Sequence, residues 1–584
     1  MNGLIMMAIA IVVLLAAYLI YGRYLARTWG IDPKAKTPAY EFEDGVDYVP
    51  ADTNVVFGHQ FASIAGAGPI TGPIQAAIFG WVPVLLWILV GGVFFGAVQD
   101  FSAMYASVKN KGRTIGYIIE EYIGRTGKKL FLMFCWLFCI LVVAAFADVV
   151  AGTFNGFATA ADGTVSTIAA NGSVATTSMI FILEAVGLGM LLHFGRLNKW
   201  LNTAIALILL VGAIVLGLWL PMYVSQSNWH IIVFIYVLIA SVTPIWALLQ
   251  PRDYLNSYLL VAMIVAAVIG VFVAQPAVNL PAFTGFFVGG QSLFPFLFVT
   301  IACGAVSGFH SLVSSGTASK QIKNERNMLP VSFGAMLMES LLAVIALIAA
   351  ASFTSLSDAA AQGMSTPTQV FAGGVSNFLT MAGLPYDVVY TLINLAVSAF
   401  ALTSLDSVAR VGRLAFQEFF LDESVSDEAM GPVRRVLTNK YFATIITLVL
   451  SYLLAKAGYA SIWPLFGASN QLLSALALVA CAVFLKRTNR RSMMLWVPMF
   501  VMSAVTFTAL AVTIFQLIIG IANGTYPMVA GMTTLVNGAS LLTAWGAGLQ
   551  LVFAALILAL GVIVVVQGIR KLFEKVPAQQ AAQN

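Results

Sequence analysis

Apolar residues run along this chain in blocks of roughly 20, cut by short polar stretches. That is the length an α-helix needs to cross a hydrocarbon core of about 30 Å. The blocks predict crossings over 4–22, 54–79, 82–107, 130–152, 177–193, 200–220, 230–249 and 254–274. They continue over 293–316, 329–353, 386–406, 441–457, 462–485, 495–520 and 547–569. The short alternating segments of a β-barrel are absent from the pattern. The first block, Leu4 to Tyr21, is too long for a removable signal peptide and has no basic region before it.

Composition agrees with this reading. Of 584 residues, 60% are apolar and 9% charged, and the mean hydropathy is +0.93; a soluble domain carries about a quarter charged residues. The fold class expected is an all-α polytopic membrane protein of about fifteen transmembrane helices. Cys135, Cys139, Cys303 and Cys481 all lie inside apolar blocks, so they read as packing residues and not as a disulfide framework or a metal set.

The net charge of +5 is spread over loops, which argues against a nucleic-acid partner; its placement matters more than its size. With fifteen crossings, 28 of the 29 Lys and Arg residues fall on one side of the membrane and only Lys456 on the other. Short basic loops stay in the cytoplasm, so the amino terminus is expected outside and the carboxyl terminus inside. The outer loops 153–176, 275–292, 354–385 and 521–546 are rich in Gly, Ala, Ser and Thr, and the last residues, PAQQAAQN, read as a disordered cytoplasmic tail. RVGRLAFQEFF, 410–420, is equally consistent with an interfacial helix and with an extension of the crossing before it.

Two crossings are predicted to be broken. In FASIAGAGPITGP, 61–73, Pro69 has no N–H and crowds the carbonyl of Ala65, while Gly66 and Gly68 let the chain leave helical geometry. The helix is expected to stop near Ile64 and restart near Pro69. Unwound backbone at membrane depth survives only where protein or a water-filled cavity covers it. The ninth crossing carries IACGAVSGFHSLVSSGTAS, 301–319, with Ser307, His310, Ser311 and Ser314 along one stripe, and it runs in the opposite direction. Two discontinuous helices of opposite direction point to an inverted-repeat secondary transporter, the first half-helix offering carbonyls to a cation and the second offering N–H groups to an anion. The competing reading is a glycine-lined packing face with a proline kink. LFGASNQLLSA, 465–475, either joins the same cavity or is polar helix glue.

Charged side chains at a helix centre cost on the order of 2.5–3.5 kcal/mol even on the lenient insertion scale, so they usually serve a pathway or a partner. The candidates are Asp100, Asp148, Glu184, Glu339 and Asp406. Asp100 and Asp406 lie toward inner helix ends, within range of Arg252, Arg410 or Arg413; Glu184 and Glu339 lie deeper, where a desolvated carboxylate takes up a proton readily. His59 and His310 sit on the two broken helices, whereas His193 and His230 look interfacial. H-E-x-x-H, G-x-S-x-G and Walker A patterns are all absent, so no enzyme is expected.

FGHQFASIAGAGPITGP, WILVGGVFFGAVQDF, TPIWALLQPRDYLNSYLL, CGAVSGFHSLVSSGTASKQI and LTSLDSVARVGRLAFQE, in this order, resemble the carbon starvation protein A (CstA) family of bacterial membrane transporters over about residues 50–490. The resemblance implies a place in the APC, LeuT-like superfamily and uptake of peptides or, in some members, of pyruvate with protons. Family members often read His-His where this chain has His59-Gln60.

Together these readings divide the chain into a first helix and linker (1–53), a transporter core (54–490), carboxyl-terminal helices (491–571) and a tail (572–584). The expected function is proton-driven import of a small carboxylate-bearing nutrient across the bacterial plasma membrane, with a passive channel or a nutrient sensor as alternatives. Substrate contacts are assigned to Ser63, Gly66, Gly68, Pro69, Ile70, Thr71, Gln99, Ser307, His310 and Ser311, and proton transfer to His59, Asp100, Glu184, Glu339 and Asp406. The expected partners are that substrate and the lipid bilayer. No cofactor or metal is expected; the proton is the coupling ion.

Overall fold

A computed structural model describes residues 2–44, 48–159, 164–194, 199–243, 248–362, 364, 366–421, 431–524 and 544–574. The end of the 572–584 tail and most of the 521–546 loop lie outside the described residues, as do 244–247 of the third family-like block. Apart from two short antiparallel hairpins, Phe157–Thr159 with Val165–Thr167 and Phe287–Val288 with Gln291–Ser292, the regular structure is helical.

Nine helices among the described residues are long and apolar enough to span a bilayer, and four shorter apolar ones accompany them. Their outward faces are greasy: Leu183, Ile208, Phe272, Val497 and Phe515 are all exposed. An apolar exterior of this kind is stable only against lipid. Segment 410–420 continues the helix Tyr386–Phe420. The 465–475 segment runs unbroken inside Tyr459–Arg487, a helix buried all round over 461–485.

The chain forms two compact units. Unit 1 comprises Met1–Leu4, Cys139–Asn279 and Ala349–Ile462; unit 2 comprises Ile5–Phe138, Leu280–Ile348 and Trp463–Asn584. In unit 1, Trp229 packs edge-on against Phe154, and Arg252 is buried against Asp406 and Tyr236. In unit 2, Trp29 stacks on Phe101, whose helix neighbours Met104 and Tyr105 are also buried. Both predicted breaks, and the helices that surround them, belong to unit 2.

Candidate functional site

The helix Thr53–Ile64 ends at Ala65, whose φ/ψ of −76°/57° is not helical, and Gly68–Ala76 restarts with Pro69 in its first turn. Local chemistry decides this: the proline supplies a pre-set φ and lacks a donor that the first turn has no use for. The second break separates Leu293–Thr300 from Gly308–Gly316. At both breaks the freed backbone needs partners, because each unsatisfied group at membrane depth costs several kcal/mol.

At the second break the partners are visible. Gln99 Nε2 donates to the carbonyl of Ser307 at 2.8 Å, and Trp463 Nε1 donates to that of Thr300 at 3.4 Å. Asn470 Oδ1 accepts from the N–H of Phe309 at 3.0 Å, so a side chain of a neighbouring helix caps the restart. Asn470 Nδ2 donates to Ser307 Oγ at 3.0 Å, and Ser474 donates to Gln99 Oε1. Backbones come very close here. A Cβ added at Gly308 would stand 2.4 Å from Asn470 O and from Leu473 Cβ.

Around this break sits a sealed ionisable cluster. His310 Nδ1 lies 3.1 Å from Asp100 Oδ2, and its Nε2 lies 3.2 Å from Glu339 Oε2; all three side chains are 0% exposed. The second approach is within ion-pair range but off the line of a hydrogen bond, leaving both Glu339 oxygens without a donor. Among the described residues no lysine or arginine pairs with either carboxylate. A neutral imidazole has one N–H and cannot donate to two carboxylates. The cluster therefore closes both contacts only when it holds an additional proton, on the ring or on one carboxyl.

The carboxylates are aimed by local helix irregularities. π-helical turns at Gly92–Gly96 and Leu329–Gly334 precede Asp100 and Glu339. One extra residue in a turn rotates the following side chains by about 100°.

The other assigned residues divide clearly. Gly66, Gly68, Pro69, Ile70 and Thr71 are buried at the first break, and the Thr71 hydroxyl has no hydrogen-bond partner. Ser311 is buried and donates to the carbonyl of Gly308 at 2.6 Å. Gln60, one residue past His59, donates to Ser314 at 2.8 Å and joins the two broken helices, while its Oε1 remains without a partner. His59 itself is half-buried, with Nε2 3.1 Å from Thr317 Oγ1, and Ser63 is half-buried in the last turn before the break.

Glu184 and Asp406 lie in unit 1 and have no part in the His310 cluster. Glu184 is half-buried, shallower than its place in the middle of an apolar block suggests, because its helix turns that face outward beside the exposed Leu183. Asp406 is fully buried and ion-paired with Arg252. The expected pairing of Asp100 with an arginine is replaced by the pairing with His310. A cavity of about 310 Å³ in unit 1 is lined by Asn279, Thr354, Asp358, Gln362 and Phe378 among others, and by none of the assigned residues.

Asn470 and Ser474 lie in the 465–475 segment, which the sequence offers either to the same cavity or as helix glue, and Gln60 is assigned no role by the sequence. Their signal is an amide or hydroxyl inside an otherwise apolar helix, which does not by itself separate a site from helix glue. The side chain of His193 lies outside the described residues.

The sequence profile described as "Carbon starvation protein CstA" matches residues 2–362 and 352–509. The peptide transporter CstA of Escherichia coli (strain K12) is 32% identical over 566 residues, covering 84% of this chain and 78% of that protein. The pyruvate/proton symporter BtsT of the same strain is 32% identical over 581 residues, covering 83% and 77%. A crystal structure of the Eremococcus coleocola manganese transporter overlays with a TM-score of 0.47 at 12% identity, covering 91% of this chain and 98% of that one. The extent of the profile match and the shared identity across most of both chains establish that this multi-pass membrane protein belongs to the carbon starvation protein CstA family.

Proposed function

We propose that the chain is a secondary active transporter that imports a small carboxylate-bearing nutrient, a short peptide or pyruvate, together with protons, by alternating access. The observation that carries this reading is the imidazole of His310 set between two buried carboxylates beside two helix breaks. Such a cluster accepts and releases a proton without leaving a bare charge in hydrocarbon. The names of the two relatives, one a peptide transporter and one a pyruvate/proton symporter, support the substrate class.

In this scheme the turn from Gly66 to Thr71 receives the substrate carboxylate on backbone N–H groups and the Thr71 hydroxyl. Asp100, His310 and Glu339 exchange the proton. Gln99, Ser307, Asn470 and Ser474 hold the second break in shape. The zero exposure of the cluster favours a carrier over a channel, since an occluded site must open by motion to either side. A LeuT-like core built around the two broken helices, with basic loops facing the cytoplasm, completes the scheme.

The deciding experiment is uptake of labelled pyruvate and dipeptides into proteoliposomes with and without an imposed pH gradient. Gradient-driven accumulation is expected, together with its loss in Glu339→Gln and Asp100→Asn while substrate exchange persists. Accumulation unaffected in both variants removes the cluster from the coupling role.

A further inference from the structure

Unit 1 holds a second buried histidine–carboxylate pair that the scheme above does not use. Asp148, near the end of the helix Arg125–Thr153, is 4% exposed. Its Oδ1 accepts from Gln226 Nε2 at 2.9 Å and faces His230 Nε2 at 2.7 Å. Gln226 and His230 are four residues apart, on one face of the helix Gln226–Val242. Trp229 and Phe154, in edge contact at 5.1 Å, are both buried, and a Cβ on Gly458 would come within 3.9 Å of Asp148 Oδ2.

His230 Nδ1 is buried and has no hydrogen-bond partner. If the ring is neutral, its Nε2–H is committed to the carboxylate, the pair carries one net negative charge, and a lone pair on Nδ1 is left bare in a buried site. Protonation at Nδ1 neutralises the pair and turns that position into a donor.

Several charged and titratable groups on the packed elements have contacts of their own. Lys456, in the turn over Asp148, is exposed and lies over the Tyr452 ring, while Tyr452 packs edge-on to Phe234. Tyr236, further along the His230 helix, belongs to the Arg252–Asp406 ion pair, where the helix Tyr386–Phe420 also brings Arg410 and Arg413 against Ala240 and Ser241. Arg125, Lys128 and Lys129 stand about five to six turns from Asp148, at the opposite end of its helix.

We infer that Asp148 and His230 form a second proton-binding site, at the Gln226 end of the helix Gln226–Val242, that loads a proton from the outer face during transport. The inference rests on the proton-coupled reading and on the orientation in which the basic ends face the cytoplasm.

Two measurements test it. In proteoliposomes, the outside pH that gives half-maximal uptake is expected to fall by about one unit in His230→Gln, which keeps a donor to Asp148 but cannot take a proton. Asp148→Asn is expected to shift the profile in the same direction, because it removes the other half of the pair. An unchanged profile in His230→Gln, with gradient-driven uptake intact, overturns the inference and assigns the pair to helix packing alone. Uptake by the wild type that ignores the pH gradient instead overturns the proton-coupled reading.

The second measurement does not depend on transport. In the full chain carrying H59Q, H193Q and H310Q, His230 is the sole histidine of the four. Its ¹⁵N ring signals are expected to show proton uptake as the pH is lowered across the range in which uptake is measured. A ring that stays neutral throughout that range overturns the inference, including in the case where His230→Gln fails to reach the membrane.

Discussion

His310 Nδ1 stands 3.1 Å from Asp100 Oδ2, joining the helix that restarts at Gly308 to the one that carries Gln99. The contact makes the imidazole an electrostatic necessity, and a proton carrier in the proposed scheme. His310→Leu takes from two sealed carboxylates the cation they share, a loss expected to cost about 3–5 kcal/mol at a pH where both are ionised. His310→Gln retains a donor and costs less, yet abolishes gradient-driven accumulation. Thermal unfolding in detergent and uptake in proteoliposomes separate the two effects.

The Thr71 hydroxyl offers a cleaner division between stability and binding. It is buried with no partner, so Thr71→Val removes a polar group that gains nothing from the fold, and stability is expected to hold or rise slightly. If the hydroxyl serves the substrate, the KM for uptake rises by roughly tenfold, the equivalent of about 1.4 kcal/mol. An unchanged KM takes Thr71 out of the binding turn.

Close packing at the second break predicts a sharp contrast between two glycines of one helix. Gly308→Ala drives a methyl into the backbone of Asn470 and Ser474 and is expected to destabilise by about 1–3 kcal/mol. Nothing lies within 4 Å of a Cβ at Gly316, where alanine is expected to be harmless. Melting temperatures of the two purified variants check this.

Arg252 and Asp406 form an ion pair of which 2% and 0% of the side chains are exposed. Arg252→Met strands the aspartate and is expected to cost about 3–5 kcal/mol, whereas the double variant Arg252→Met/Asp406→Leu recovers most of it. A double variant no more stable than the single one, in the same melting assay, shows that the pair's other contacts dominate.

Glu574 supplies a pH dependence outside the membrane-spanning segments. Hydrogen bonds from Lys571, and then from Arg487 at 2.6 Å, hold its carboxyl below the ordinary glutamate value. A depressed carboxyl stabilises the fold at pH above its unfolded value, and the benefit disappears as pH falls through the folded one. Protection of the amides around 570–574 is therefore expected to be greater in the wild type than in Glu574→Gln at pH 7, and equal at about pH 3. A difference that persists at low pH rules out the carboxylate as its source.

The sequence makes the breaks legible because their causes are local: Gly66, Gly68 and Pro69 act within one turn, and the serine stripe beside His310 is a matter of spacing along one helix. Asp100 and Glu339 are recognisable as costly residues for the same reason. Their shared partner is not, because it arises from the packing of three separate helices and from π-helical turns that no residue type announces. Distance along the chain hides other contacts in the same way. Asn470 caps a helix 161 positions away, and His230, which reads as interfacial, turns inward to Asp148, 82 positions away.

The absence of a side chain on Gly308 has a kinetic corollary. With Leu473 and Asn470 seated directly on its backbone, the half-helix Gly308–Gly316 and the neighbouring stretch of the helix Tyr459–Arg487 cannot slide past one another without first separating. They travel as one rocker. In an alternating-access cycle the first half-helix, tied to it through the side-chain contacts Gln60–Ser314 and His59–Thr317, would be the arm that swings. Spin labels on the rocker would report a constant separation through the cycle, and labels across the Gln60–Ser314 contact would report the stroke.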